Sequence, residues 1–182
     1  MNSFYTHEEL LTLGFKKLGS NVLVSRNASF YGTEKISIGD NVRIDDFCIL
    51  SGEITLGSYI HISAYCALYG ANGIEMEDYT GLSPQCVIFS ATDDFSGNYL
   101  ISPMVKKEFT NVTGGKVIIK KYTQIGTSCV ILPGLTIEEG VAVGSMSFVN
   151  KSLSAWGIYF GTPAKRIKER TKELLKFVSS NE

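Results

Sequence analysis

Few side chains in this chain suit polar chemistry near neutral pH, and they are unevenly placed. There are two histidines, His7 and His61, four cysteines, Cys48, Cys66, Cys86 and Cys129, and a carboxylate pair, Asp93-Asp94, in a polar stretch. A tetrahedral metal site needs converging ligands with spacings such as C-x-x-C, and no such pair occurs. Free cysteine is among the most buried residue types, so the thiols read as packing groups in a reducing compartment. His7 falls in a short helix, where a solvated or capping role is expected. His61 stands beside a chain corner and reads as a packed or solvated polar residue, or as one turned toward a neighbouring subunit.

The elements that must position these groups follow a six-residue period. An aliphatic residue returns at Ile38, Ile44, Leu50, Leu56, Ile62, Leu68 and Ile74. After a two-residue slip the count resumes at Met76, Leu82 and Ile88, and beyond a polar stretch at Ile119, Ile125, Ile131, Ile137, Val143 and Val149. A helix needs apolar residues three and four apart and a half-buried strand needs alternation, so neither ordinary period fits. A hexapeptide period is the signature of a parallel β-helix, in which three short strands make a triangular coil and the aliphatic residue plugs its interior. The groups Gly39-Asp40-Asn41, Gly57-Ser58, Gly126-Thr127 and Gly144-Ser145 suit the corners. Each cysteine lies four places after a repeat aliphatic. The thiols are therefore expected in one internal column, spaced by about 4.8 Å per coil.

Three segments depart from the period. Thr6 and Glu9 make a capping box ahead of Leu10, Leu11, Leu13 and Phe15, which predicts a short helix closing the N-terminal end. The stretch from about 90 to 116 carries Asp93-Asp94, Pro103 and Gly114-Gly115 and reads as a structureless extruded loop of the kind that carries function. From Thr162 onward, Pro163 takes a first helical position and 164–178 is lysine-rich and amphipathic, which predicts a terminal helix folded back on the coils. The expected organisation is one domain, with a cap and first coil over 1–35, a β-helix over 36–161 and the helix over 162–182.

Composition narrows the function classes. With 182 residues the chain is long enough for one domain with a real core, and its net charge of -1 gives no electrostatic reason to invoke nucleic acid or a membrane surface. No charged-then-apolar leader and no apolar run near 20 residues is visible, so a soluble, cytoplasmic protein is expected.

The coils, the loop and the closing Gly161-Thr162-Pro163-Ala164-Lys165-Arg166-Ile167 together resemble the left-handed β-helix acyltransferases. Within that superfamily, Gly81-Leu82-Ser83, Ser90-Ala91-Thr92-Asp93-Asp94-Phe95-Ser96-Gly97 and Trp156-Gly157-Ile158-Tyr159-Phe160-Gly161 are similar to the N-acyltransferases of nucleotide-linked 4-amino-4,6-dideoxyglucose, which serve surface polysaccharide (O-antigen) biosynthesis. The resemblance implies an all-β, left-handed parallel β-helix, a homotrimer, acetyl-coenzyme A or another short acyl-coenzyme A as co-substrate, and no metal. As acceptor it implies the amine of a dTDP-linked amino sugar. By motif position it places Asp93 and Ser83 at the transfer centre; by residue type and place, Asp94, His61, Tyr65 and Tyr99 are candidates around the sugar nucleotide. Tyr65, Tyr69 and Tyr99 are candidates to stack on its base or to pack between subunits. Coenzyme A is expected in a groove between two subunits. There its pantetheine chain would meet backbone amides near Gly126, Gly144 and Ser145, and its phosphates Lys165 and Arg166.

Many acyltransferases of this fold place a histidine in or beside the loop as general base, and this loop has none. A sugar hydroxyl needs such a base during attack. An amine beside electron-withdrawing carbons titrates nearer about 8 than the lysine value of about 10.4, and is nucleophilic once neutral. A carboxylate, from Asp93 or Asp94, that orients the ammonium and takes its proton is then enough, which favours nitrogen as the acceptor. The alternatives are saccharide O-acetylation with His61 or a water-linked carboxylate as base, and a noncatalytic scaffold.

Overall fold

The structure, a computed structural model, describes residues 3–178. The hexapeptide aliphatics line the inside of three stacked parallel faces. The first face holds Lys17–Leu18, Ile36–Ile38, the later parts of Ile49–Leu56 and Ala67–Met76, Val117–Ile119 and Thr136–Ile137. The second holds Leu23–Val24, Arg43–Ile44, His61–Ile62, Gly81–Leu82, Gln124–Ile125, Ala142–Val143 and Gly157–Phe160, one strand for each of seven coils. The third holds Ser29–Tyr31, the opening parts of Ile49–Leu56 and Ala67–Met76, Val87–Phe89, Val130–Ile131 and Phe148–Val149. Every repeat aliphatic from Ile38 to Val149 is buried. This is the parallel β-helix expected from the period, of the left-handed kind that the resemblance implies.

The corners keep the expected asparagine and glycine at Asn21, Asn41 and Gly140, and elsewhere turn mostly on large side chains. Between the first and second faces the chain turns on Asn21, Asn41, Tyr59, Tyr79, Tyr122, Gly140 and Trp156, with φ of 52, 56, 59, 58, 63, 67 and 54°. A bulky residue in this left-handed region costs on the order of 1–3 kcal/mol. Stacking offsets the cost: the Tyr59 and Tyr79 rings lie 4.6 Å apart and nearly parallel, and Tyr79 and Tyr122 lie 5.7 Å apart, where each pair contributes about 0.5–1.5 kcal/mol beyond area burial. Phe47, Tyr65, Gln85, Ser128 and Met146 turn the next corner in the same way.

The four thiols form the expected buried column and remain free. They also bond. Cys48, Cys66, Cys86 and Cys129 donate through Sγ to the carbonyls of Ser63, Ser83, Gly126 and Gly144 at 3.1, 3.2, 3.1 and 3.1 Å, each one coil further on. The neighbouring thiols, then burial, push Cys66 well above the ordinary thiol range.

The two-residue slip and the extruded loop share the third corner. The longer turn within Ala67–Met76 sets Asn72 against Ser90 of the next coil, its N–H donating to Oγ at 2.8 Å and its Nδ2 to the carbonyl at 3.0 Å. The Ser90 hydroxyl donates to Tyr69 O at 2.9 Å. From this anchor the loop departs, and it is not structureless. Ala91–Thr92 pairs antiparallel with Thr113–Gly114 to make a neck, and Lys107–Phe109 forms a 3-10 turn.

The N-terminal helix is His7–Thr12, with the Thr6 and Glu9 capping box closed and Leu10 fully buried. The other end corrects the expected terminal helix over 162–182. Lys165–Glu169 is a strand, antiparallel to Gly157–Phe160, and the only helical turn described after it is Leu175–Val178. The last coil leaves a row of backbone groups without partners, and a strand satisfies them where a helix cannot. Residues 179–182 lie outside the described part. The tail does fold back: Arg170 Nη1 donates to the carbonyls of Tyr122, Gly140 and Val141 at 2.7, 3.1 and 3.3 Å.

Candidate active site

The corner between the second and third faces carries one column of residues, each placed directly after a second-face aliphatic. Ser63, Ser83, Gly126 and Gly144 donate their N–H groups to Leu82 O, Ile125 O, Val143 O and Tyr159 O at 3.0, 2.9, 2.8 and 2.8 Å. Ser83 is thus one coil from Gly126 and two from Gly144 along a single edge, at about 4.8 Å per coil. Glycine is required below it because the edge is crowded. A Cβ on Gly126 would lie 2.6 Å from Ser145 N, and one on Gly144 would lie 2.4 Å from the Phe160 ring. Both glycine amides are consumed by the coil ladder, whereas Ser145 is exposed beside Met146 at the turn. Lys165 is exposed and paired in register with Phe160, so it stands at the foot of this edge. Arg166 is next to it, but its guanidinium bonds Glu169 at 2.7 Å.

Asp93 and Asp94 have separate roles in the loop. Asp94 accepts hydrogen bonds from the Ser96 hydroxyl at 2.6 Å, the Ser96 N–H at 2.8 Å and Asn111 Nδ2 at 3.4 Å. The Ser96 hydroxyl, ahead of the other donors, holds the Asp94 carboxyl below the usual carboxylate range. Asp94 therefore staples the loop. The Asp93 carboxylate is exposed and has no hydrogen bond or ion pair among the described residues, and it lines a cleft of about 290 Å³ with Phe89, Ala91, Thr92, Phe95, Leu132 and Pro133. Ser83 does not reach this cleft. Within one chain Ser83 and Asp93 stand at opposite ends of the third face, with Val87–Phe89 between them.

His61 lies on the second face, in register with Gly81 on the adjacent coil and so one rung from the Ser83 edge, but on a different face from the Asp93 cleft. Its Nε2 is 2.7 Å from Asp45 Oδ2, and Arg43 Nε donates to Oδ1 of the same carboxylate at 2.7 Å. Burial pushes the Asp45 carboxyl up, but the Arg43 bond and then His61 outweigh it and leave it below its ordinary value. Tyr65 stacks on Phe47 at 5.0 Å, Tyr69 on Phe89 at 5.4 Å, and Tyr99 stands far out on the loop beside Phe109. No three acidic, cysteine or histidine side chains converge on a metal-sized site among the described residues. One contact at the site was not expected from sequence: Gln124 Nε2 donates to Ser83 Oγ at 3.2 Å. Its signal is the register of Gln124 with Gly81, which the intervening loop hides from a residue count.

A prism of hexapeptide coils, a serine and glycine edge and a loop with a free carboxylate define an acyltransferase of the hexapeptide-repeat class. No protein-family model matches the chain. It is 42% identical over 174 residues to the dTDP-4-amino-4,6-dideoxy-D-glucose acyltransferase of Escherichia coli, covering 94% of this chain and 91% of that one. The chain belongs to that acyltransferase family. The crystal structure of AntD, an N-acyltransferase from Bacillus cereus, in complex with dTDP and 3-hydroxybutyryl-CoA superposes with a TM-score of 0.97 at 51% identity, covering 100% of this chain and 97% of that one. A hexapeptide-repeat acetyltransferase from Vibrio cholerae complexed with acetyl-coenzyme A shares the fold at 17% identity and a TM-score of 0.65, covering 90% and 75% of the two chains.

Proposed function

We propose that this enzyme transfers a short acyl group, acetyl from acetyl-coenzyme A or another of similar size, to the 4-amino group of dTDP-4-amino-4,6-dideoxyglucose. One observation carries the choice of an amine: the loop's free base is the Asp93 carboxylate, and the loop has no imidazole, while His61, one rung from the Ser83 edge, has its Nε2 engaged with Asp45. The relatives support it, one named for this amino sugar and another bound to dTDP and an acyl-coenzyme A. Solved variants of AntD replace a serine or an aspartate ten positions apart, the same separation as Ser83 and Asp93. Asp93 binds the sugar ammonium, orients it and takes its proton. The neutral amine then attacks the thioester carbonyl, and the Ser83 hydroxyl donates to the oxygen that gains charge, a contribution of about 3 kcal/mol. As the N–C bond forms and the C–S bond breaks, the departing thiolate takes up a proton. The coenzyme lies along the edge from Ser83 past Gly126, Gly144 and Ser145 to Lys165.

The site is completed between copies of a homotrimer. On the third face the outward positions Ile49, Ala67, Val87, Val130 and Phe148 follow one another in register, all apolar. The matching positions of the first face are Ser37, Thr55, Glu75, Ile118 and Thr136, most of them polar. A sheet that is apolar on both sides needs cover. Closed cyclic packing sets one end of this face against the opposite end of its neighbour's, which brings Ser83 of one copy to Asp93 of the next. On the loop, Phe95 and Met104 are 88% and 90% exposed in the single chain and gain cover in the same assembly. Four free thiols suit the cytoplasm, where the product would enter surface polysaccharide (O-antigen) synthesis. No helix among the described residues is long and apolar enough to cross a membrane.

The test is thiol release from acetyl- or 3-hydroxybutyryl-coenzyme A on adding dTDP-4-amino-4,6-dideoxyglucose, with the 4-hydroxy sugar nucleotide as control. Release with the amine alone is expected. Release with the hydroxyl sugar alone would replace this reading by O-acetylation.

A further inference from the structure

We infer that Gln124 is a positioning residue: its side-chain amide, seated in the gap left by Gly81, turns the Ser83 hydroxyl so that its hydrogen points out toward the acyl group. The inference rests on the role given to Ser83 above. Gln124 and Gly81 are register partners on adjacent coils, and a Cβ on Gly81 would lie 2.6 Å from Gln124 Oε1. Only glycine leaves room for the amide to lie flat on the sheet. There Nε2 donates to Ser83 Oγ at 3.2 Å and, more weakly, to Ile125 O at 3.4 Å. A backbone carbonyl only accepts, so the end of the amide that faces Ile125 O is the NH2, which fixes the orientation of the group.

The consequence falls on Ser83. A serine hydroxyl has one hydrogen to give. With Gln124 occupying a lone pair of Oγ, that hydrogen points away from the amide, and no acceptor for it is found among the described residues. The hydroxyl is therefore held as a donor before substrate arrives, the polarity an oxygen gaining negative charge requires. Without Gln124 the hydroxyl rotates freely and must be oriented during the reaction.

The test is kinetic and uses the full chain with the acyl-coenzyme A and amino sugar above. Gln124→Ala should lower kcat about 5- to 10-fold, the effect of one lost neutral hydrogen bond, with KM for acyl-coenzyme A unchanged. Placed on Ser83→Ala, it should cost nothing more, because the group it orients is gone. Gly81→Ala should give the same loss as Gln124→Ala. The added Cβ meets only the tip of a flexible side chain, so the melting temperature should hardly move. Gln124→Glu supplies a readout that packing alone would not move. Its carboxylate captures the Ser83 hydrogen, so activity relative to the parent should rise as pH falls toward the ordinary glutamate value of about 4.3. Losses that multiply in the double variant, or an impaired Ser83→Ala beside an unimpaired Gln124→Ala, would overturn this inference and leave the proposed reaction standing. A fully active Ser83→Ala would remove the role of Ser83 and this inference with it.

Discussion

If each site takes Ser83 from one copy and Asp93 from the next, two inactive variants should repair each other. In a three-membered ring of Ser83→Ala and Asp93→Asn subunits, any mixed ring contains one junction at which both damaged residues meet. It also contains one junction at which both intact residues meet, and a third with a single lesion. Equal mixing gives about three mixed rings in four, so about a quarter of all sites should be intact. Refolding the two variants together at equal concentration should recover about 25% of parental thiol release, against a background about 10²-fold below parental for each alone. A size tag on one variant confirms by native mass spectrometry that mixed rings have formed. Mixed rings without recovered activity would show that Ser83 and Asp93 serve the same chain, and would refute the placement of the site across the third face.

Four other outcomes are expected. Asp93→Asn should lower turnover by about 10²-fold or more, whereas Asp94→Asn, whose amide oxygen still accepts from Ser96, and His61→Ala should each cost under about 10-fold; steady-state kinetics decides the ranking, and its reversal would favour O-acetylation. Ile49→Glu loses about 2 kcal/mol of burial per copy and buries a charge at a cost of several more, so light scattering at micromolar concentration should show monomers with intact β circular dichroism; a persistent, active trimer would clear the third face of any role. Native protein should react slowly with a thiol reagent and denatured protein should show four thiols; fewer without reductant would mean a disulfide. Asp45, raised by burial but lowered more by Arg43 and His61, lies below its ordinary value. Its stabilising contribution is complete above the unfolded value of about 3.9 and is lost as pH falls through the folded one, so melting temperature should fall less steeply with acid in Asp45→Asn, and equal slopes would exclude it.

The coils were legible because burial repeats. Each aliphatic from Ile38 to Val149 plugs the interior, and the spacing of Cys48, Cys66, Cys86 and Cys129 already places the thiols in one column. Departures arose where pairing partners are distant in sequence. The stretch 164–178 is amphipathic enough for a helix, but the open edge of Gly157–Phe160 draws Lys165–Glu169 into a strand. The tyrosine corners were unreadable singly, since left-handed Tyr79 is stabilised by Tyr59 and Tyr122 on other coils. At the site, Ser83 and Asp93 were named by motif, but the difference between Asp93 and Asp94 depends on Ser96 and Asn111. The slip before Met76 was visible as an irregularity, and only its geometry shows that it carries Asn72 to the root of the loop.

The reversal of chain direction at Lys165–Glu169 bears on filament growth. A stack of parallel coils is a template at either end, and bare ends spaced at about 4.8 Å would add further chains indefinitely, as fibrils do. Here the final rung runs against the rest and exposes Lys165, Arg166, Lys168 and Glu169, while the helix His7–Thr12 covers the opposite end. Elongation is thus stopped by polarity and charge. Growth along the axis is opposed at both ends, whereas the apolar third face leaves open the sideways assembly proposed above.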